Sequence, residues 1–248
     1  MSGGRRSVVG VSAQPDPASP ASLVGAPSTV ARAAVEVDPD AAFERVWLDR
    51  TAWIDVARGW LRGADVLYAD LMASMNWRPN TMWRYERYVT EPRLTAWAPR
   101  GRPPHPALGE AYRSLRRRYG VELDGFGMSR YRDGNDSVGY HRDREMRWLD
   151  NTVIAILTTG ARRPFMIKNR HVPPGRRLLD DDSGGVDFAP GSGDLLVMGG
   201  SCQSDWLHAV PKVRGAIAGR ISIQWRWTSR TGQPERGPGY GAPRHFTR

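Results

Sequence analysis

Residues 219–227, Gly219-Arg220-Ile221-Ser222-Ile223-Gln224-Trp225-Arg226-Trp227, alternate apolar and polar side chains without a break. In an extended chain successive side chains point to opposite faces. Read as a strand, the run places Ile221, Ile223, Trp225 and Trp227 on one face. Arg220, Ser222, Gln224 and Arg226 take the other. The apolar face must be buried. The polar face admits two readings: it meets water, as on an edge strand, or it points inward, where two guanidinium groups would require dianionic company. Spacing alone leaves the two level.

Upstream of this run, Thr152–Thr159, Pro164–Lys168, Asp194–Met198 and Trp206–Val210 are short segments rich in β-branched or aromatic residues, broken by turn residues. Before them the texture differs. Val66, Leu67, Leu71 and Met75 have helical spacing within Ala64–Trp77. Pro106–Tyr119 reads as a second helix, starting on a proline and stopping at Gly120, with Arg116, Arg117 and Arg118 in its last turn. Two helices followed by a run of strands predict an α+β protein with a β-sandwich or jelly-roll core. Residues 1–40 are rich in Ser, Ala, Pro and Gly and read as a disordered leader. Residues 229–248 carry four Arg against one acid and read as a flexible basic tail. The folded domain is expected over 41–228.

The chain has a formal charge of +10, and only two of its 36 basic residues, Lys168 and Lys212, are lysine. Arginine offers a planar fork that suits phosphate oxygens, so nucleic acid is the expected partner. Cys202 is the only cysteine, which excludes an internal disulfide and a thiolate cluster. No apolar run follows Arg5 and Arg6, so a secretory leader is not expected, and no apolar run of membrane-spanning length is seen. The expectation is a soluble cytoplasmic protein, with no membrane association and a monomer as the default.

Five histidines occur, and only His141 has a carboxylate two residues on, in Gly139-Tyr140-His141-Arg142-Asp143. Residues i and i+2 of a strand share a face, so both side chains can reach one ion. His208, in Asp205-Trp206-Leu207-His208-Ala209-Val210, is the candidate third ligand. Two imidazoles and one carboxylate leave open positions on a metal, the arrangement of non-haem Fe(II) oxygenases. A lone His-x-Asp more commonly marks a surface ion pair, and a lone histidine a satisfied core residue. The decision therefore rests on the rest of the site.

The combination of Ser129-Arg130-Tyr131-Arg132-Asp133-Gly134, His141-Arg142-Asp143-Arg144-Glu145, His208 and Arg220-x5-Arg226 resembles the AlkB family of 2-oxoglutarate-dependent dioxygenases. The resemblance implies a double-stranded β-helix, Fe(II) as cofactor, and 2-oxoglutarate and O2 as cosubstrates. It implies that His141, Asp143 and His208 hold the iron, that Arg220 and Arg226 lie near the two ends of 2-oxoglutarate, and that Tyr131 hydrogen-bonds it. Ser129 and Ser222 stand where the family usually has Asn; serine reaches less far, which bears on cosubstrate affinity. Glu145 matches an acid that faces the substrate base. The segment Glu91-Pro92-Arg93-Leu94-Thr95-Ala96-Trp97 resembles the family's substrate lid, with Arg93 at the substrate and Trp97 placed to stack on a flipped base. After Trp97 the chain departs from the family pattern.

The implied activity is oxidative demethylation of N-alkylated bases in DNA or RNA. Arg84, Arg87, Arg93, Arg100, Arg102 and Arg116–Arg118 are candidates for phosphate contact. Tyr85 and Tyr88 are candidates for stacking, while Trp77 and Trp83 are expected in the core. Two alternatives remain: the same iron chemistry on a protein, lipid or small molecule, and a weakly active nucleic-acid-binding homologue.

Overall fold

The computed structural model describes residues 33–84, 86–143, 146, 151–170 and 185–228. In chain order the strands begin with β1 (Glu36–Val37), β2 (Glu44–Trp47), β3 (Ala52–Ala57), β4 (Leu61–Arg62), β5 (Arg78–Arg84) and β6 (Arg87–Ala98). They continue with β7 (Phe126–Tyr131), β8 (Val138–His141), β9 (Thr152–Gly160), β10 (Met166–Asn169) and β11 (Val186–Asp187). The last are β12 (Leu195–Gly200), β13 (Trp206–Val210) and β14 (Arg220–Thr228). Helix α1 (Ala64–Ser74) follows β4, α2 (Pro106–Tyr119) follows β6, and the single turn α3 (Cys202–Asp205) leads into β13.

The larger antiparallel sheet has the order β2-β3-β12-β9-β14-β7-β6-β5, and the smaller has β11-β10-β13-β8. From β7 onward the chain winds between them. Strands β7, β9, β12 and β14 join the larger sheet, and β8, β10, β11 and β13 the smaller. That winding is a double-stranded β-helix, or jelly roll. Strands β2–β3 extend one edge of the larger sheet and β6–β5 the other.

Two apolar clusters lie on the two faces of the larger sheet. One combines Leu67 and Leu71 of α1 and Leu108 and Leu115 of α2 with Leu157, Ile221, Ile223 and Trp225. The other combines Ile54, Ile156 and Leu196 with Phe165, Ile167, Trp206 and Val210 of the smaller-sheet side. Strand β9 is therefore buried on both faces, which explains its nearly continuous apolar run. The same geometry settles β14. Its apolar face packs under the helices, so its polar face turns into the space between the sheets.

The helix caps follow local chemistry. At α2, the His105 ring nitrogen accepts from the Ala107 N–H at 3.2 Å, and Gly120 ends the helix in the left-handed region at φ 65°. Helix α1 ends at Ser74, three residues short of the expected Trp77. The Trp77 indole instead donates to the Leu71 carbonyl at 3.2 Å, which also accepts the Met75 N–H at 3.1 Å.

Several expectations need correction. The helices do not precede the strands: β1–β6 are interleaved with them, and four of these strands belong to the larger sheet. Strand β3 hides its alternation because Asp55 is buried on the helix side, paired with Arg45 at 2.6 Å and bonded by the Tyr119 hydroxyl at 2.9 Å. The expected leader boundary at residue 40 moves toward the N-terminus. Strand β1 pairs with β4, and Val35 and Val37 pack on the helix-side core. Strand β10 starts at Met166 rather than Pro164, which has no N–H for the ladder. Trp83 is 59% exposed and edge-on to Tyr88, not in the core. Trp77 does pack against the helix-side core. Residues 1–32 and 229–248, Tyr85, Glu145 and His171 lie outside the described residues. Among the described residues no helix is long and apolar enough to cross a membrane.

Candidate metal centre

Strand β8 ends at His141, and the antiparallel register sets His208 of β13 directly opposite it. Directly opposed residues project to the same face, so the two rings meet with centroids 4.2 Å apart. Asp143, two residues past His141, places Oδ1 3.8 Å from His141 Nε2 and 4.0 Å from His208 Nε2. One ligand atom from each of the three residues lies within 4.8 Å of the others. The Gly139 carbonyl lies 2.9 Å from His141 Nδ1. A carbonyl only accepts, so Nδ1 carries the proton and Nε2 presents its lone pair to the centre. Phe165 stacks on the His208 ring at 5.8 Å.

The electrostatics prepare these groups for a cation. Burial, reinforced by the neighbouring His141 ring, pulls His208 down to about 3, and burial also lowers His141. Both imidazoles are neutral near pH 7, the form that binds metal. Burial would raise the Asp143 carboxyl, but the Arg226 guanidinium and the two imidazoles more than offset it, holding it below the usual carboxylate range. Arg226 Nε donates to Asp143 Oδ2 at 2.6 Å, and its Nη2 donates to Gln224 Oε1 at 2.7 Å. Oδ2 is thus held by arginine while Oδ1 faces the imidazoles.

The wall beside this centre is the inward face of β14. Arg220 is fully buried; its Nη2 donates to Thr158 Oγ1 at 3.3 Å, while Nε and Nη1 meet no partner among the described residues. Burial lowers its pKa to about 10, so it stays charged at neutral pH. Tyr131 stands opposite it on β7, its ring 5.8 Å from the guanidinium. Ser129 and Ser222 face each other one step along the same pair of strands, both buried. A buried cation with unpaired donors is costly unless a carboxylate joins it, so the residues present fit one carboxylate end of a small acid such as 2-oxoglutarate. Arg226 differs from the expectation in one respect: its Nε is engaged by the aspartate of the triad, so its effect on a ligand passes partly through Asp143.

One cavity of about 850 Å³ joins the triad, Arg220's neighbours Tyr131 and Ser222, and a rim from β5 and β6. Arg93 and Trp97 both line it, Trp97 remaining 47% exposed. The expected lid segment is thus a strand of the larger sheet. Arg93 donates to Glu91 Oε2 at 3.1 and 3.3 Å and to the Tyr131 hydroxyl at 3.5 Å, and Asn80 donates to the same Glu91 oxygen at 3.0 Å. The α2 arginines are elsewhere. Helix α2 packs on the other face of the larger sheet, Arg116 pairs with Glu122, and Arg118 lies over Phe43 at 3.5 Å.

Sequence reasoning missed Asn80, Phe165 and Gln203 and named Glu91 only as part of the lid segment, without a role. Their roles come from contacts made only on folding: Asn80 and Glu91 meet across the β5–β6 pair, and Gln203 reaches Asp143 from the α3 turn. Glu91 and Asn80 were within reach of a hairpin reading of β5–β6, had its register been fixed.

Two imidazoles and a carboxylate at the mouth of a jelly roll, with a buried guanidinium alongside, define a non-haem iron oxygenase site. The chain belongs to the 2OG-Fe(II) oxygenase superfamily, which matches residues 68–226, and within it to the AlkB type. That superfamily uses Fe(II) and 2-oxoglutarate with O2. Among curated relatives, the alpha-ketoglutarate-dependent dioxygenase alkB homolog 3 of Bos taurus is 28% identical over 186 residues, covering 67% of this chain and 62% of that protein. The DNA oxidative demethylase ALKBH2 of Homo sapiens is 30% identical over 102 residues, covering 40% of this chain and 37% of that protein. The chain therefore spans less than two thirds of the length of these relatives. A solved oxidoreductase of the 2OG-Fe(II) oxygenase family from Burkholderia pseudomallei is 15% identical, covering 69% of this chain and 82% of that one, with a TM-score of 0.46.

Proposed function

We propose that this chain is an Fe(II)/2-oxoglutarate-dependent dioxygenase that removes alkyl groups oxidatively from the bases of DNA or RNA. The observation that carries the reading is a cavity in which the triad, Tyr131, Ser129 and Ser222 beside the buried Arg220, and the rim residue Trp97 meet. Its volume of about 850 Å³ leaves room for a planar base beside a small dicarboxylate. The names of the relatives, alkB homolog 3 and DNA oxidative demethylase ALKBH2, support the same substrate class.

His141, Asp143 and His208 would hold the iron, and Arg220 would meet one carboxylate of 2-oxoglutarate, with Tyr131, Ser129 and Ser222 alongside. When bound, these groups and O2 supply hydroxylation of a carbon attached to nitrogen; an N-methyl group so oxidised leaves as formaldehyde and frees the base. The chain's own part is placement and shielding. Arg226 fixes which Asp143 oxygen faces the imidazoles, and Phe165, Ile154 and Ile156 give the cavity an apolar floor. Trp97 offers a face to an unstacked base. Arg93 lines the same rim with its charge paired to Glu91, which fixes its place beside Tyr131.

The test is turnover of oligonucleotides carrying 1-methyladenine or 3-methylcytosine, as single and double strands of DNA and RNA. The full chain with iron and 2-oxoglutarate should release formaldehyde in proportion to succinate, and His141→Ala should release none. Succinate without formaldehyde on every oligonucleotide would defeat the repair reading and move attention to a protein, lipid or small-molecule substrate. Stacking on an aromatic side chain contributes about 1–3 kcal/mol per base, so Trp97→Ala should raise the KM for the oligonucleotide roughly 5- to 150-fold. An unchanged KM would remove Trp97 from the base-binding role.

A further inference from the structure

We infer that Gln203 is a positioning residue for the metal centre, clamping the segment that bears two ligands to the turn that launches the third. Gln203 is fully buried in the α3 turn, and its Oε1 accepts the backbone N–H of Asp143 at 2.8 Å. The next residue repeats the contact: the Ser204 carbonyl accepts from Arg142 Nη1 at 2.7 Å. Arg170, past the end of β10, donates to that carbonyl at 3.2 Å. The same turn ends at Asp205, from which β13 runs directly to His208.

The geometry has a mechanical meaning. Asp143 lies beyond the end of β8, so no ladder hydrogen bond fixes its backbone. The side chain is oriented by Arg226, but an oriented carboxylate on a drifting backbone would not hold its distance to His208. The Asp143 carbonyl accepts from the Met146 N–H at 3.0 Å, but that bond is local to the same segment; the bond from the Asp143 N–H to Gln203 is the one that reaches the α3 turn. It ties that backbone to a turn only three residues from His208 along the strand entry. Outer partners of this kind orient ligands without touching the metal.

The residue type supports the role. An acceptor is required at Oε1, and a glutamate would supply one, but it would bury a second negative charge beside Asp143. The amide gives the acceptor without the charge. Its Nε2 is buried and meets no partner among the described residues, an unfavourable feature that a purely space-filling residue would not carry.

The inference concerns the metal site and is independent of which substrate the enzyme takes. Its test uses the full metal-free chain and Mn(II) as probe, with affinity read by titration calorimetry and folding by thermal melting. Gln203→Met, similar in shape but lacking the acceptor, should weaken Mn(II) binding about 10- to 100-fold. Gln203→Asn, which keeps a buried amide but withdraws it from Asp143, should weaken it too and guards against a failure of the Met variant to fold. Cys202→Ala is the control, being buried in the same turn with its Sγ directed to the Trp53 carbonyl. It should lower the melting temperature without changing Mn(II) affinity. In the unsubstituted protein the Asp143 amide should exchange slowly with solvent deuterium. The inference is overturned by wild-type Mn(II) affinity in the Gln203 variants, by an equal loss in Cys202→Ala, or by fast exchange at Asp143.

Discussion

Replacing Arg220 with Met should make the ligand-free protein more stable while abolishing its response to 2-oxoglutarate. The two effects have one cause. Arg220 is a fully buried cation whose Nε and Nη1 have no partner among the described residues. Substituting a well-packed apolar side chain for a buried charge commonly stabilises a protein by about 1–4 kcal/mol. For a domain of this size each kcal/mol moves the melting temperature by roughly 2–4 °C. The wild-type chain bears that penalty, and a bound carboxylate would relieve it. Thermal melts with Mn(II), with and without 2-oxoglutarate, give both readings. The wild type should melt higher when the dicarboxylate is added; Arg220→Met should start higher and not move. A variant that melts lower than wild type and still responds would show that Arg220 is a structural cation and not the dicarboxylate anchor.

Acid should destabilise the metal-free chain well before ordinary carboxylates titrate. His208 is held at about 3 by burial and by the neighbouring His141 ring, against about 6.5 for an unfolded histidine. Between those values the unfolded chain takes up a proton that the folded chain refuses. Stability therefore falls as pH drops through this window, on the order of 1 kcal/mol per pH unit for one such group, and is flat with respect to His208 above it. Asp143 acts at the acid end: its pKa lies below that of the unfolded carboxyl, so its contribution is present above about pH 4 and lost on further acidification. Urea unfolding at pH 7.5, 6 and 5 should show the decline. In His208→Leu the slope should flatten. An identical slope in that variant would place the acid sensitivity elsewhere.

Much of the centre was legible because its residues are close in sequence or strictly periodic. His141 and Asp143 are two apart, and the alternation of β14 separates Arg220 from Trp225 at sight. What the alternation could not choose was which face of β14 points inward. That depended on α1 and α2 covering the side with Ile221, Ile223 and Trp225, a fact of assembly rather than of the strand itself. The β1–β6 strands were hard to read for a related reason. Asp55 interrupts β3 with a charge that is satisfied only by Arg45 and Tyr119, partners found through folding. The β5–β6 hairpin carries so many polar and exposed residues that no buried stripe marks it. Gln203 shows the limit most plainly, since its function depends on a single bond to a backbone 60 residues away, and no spacing rule encodes that.

Strand β14 leaves evolution little freedom. One side of it meets the helix-side core, through Ile223 and Trp225, and the other carries the buried Arg220 and, at the cavity, Ser222. Inserting or deleting a single residue early in the strand would exchange the two sides for everything after it, setting tryptophan into the polar pocket and arginine against leucines. Lineages descending from such a chain can vary its rims and tails, and can trade Ser222 for another small polar residue. The strand's phase is the inherited quantity, and new substrate preferences must be built at the β5–β6 edge, where a changed side chain disturbs neither the oxidant's ligands nor the packing beneath the helices.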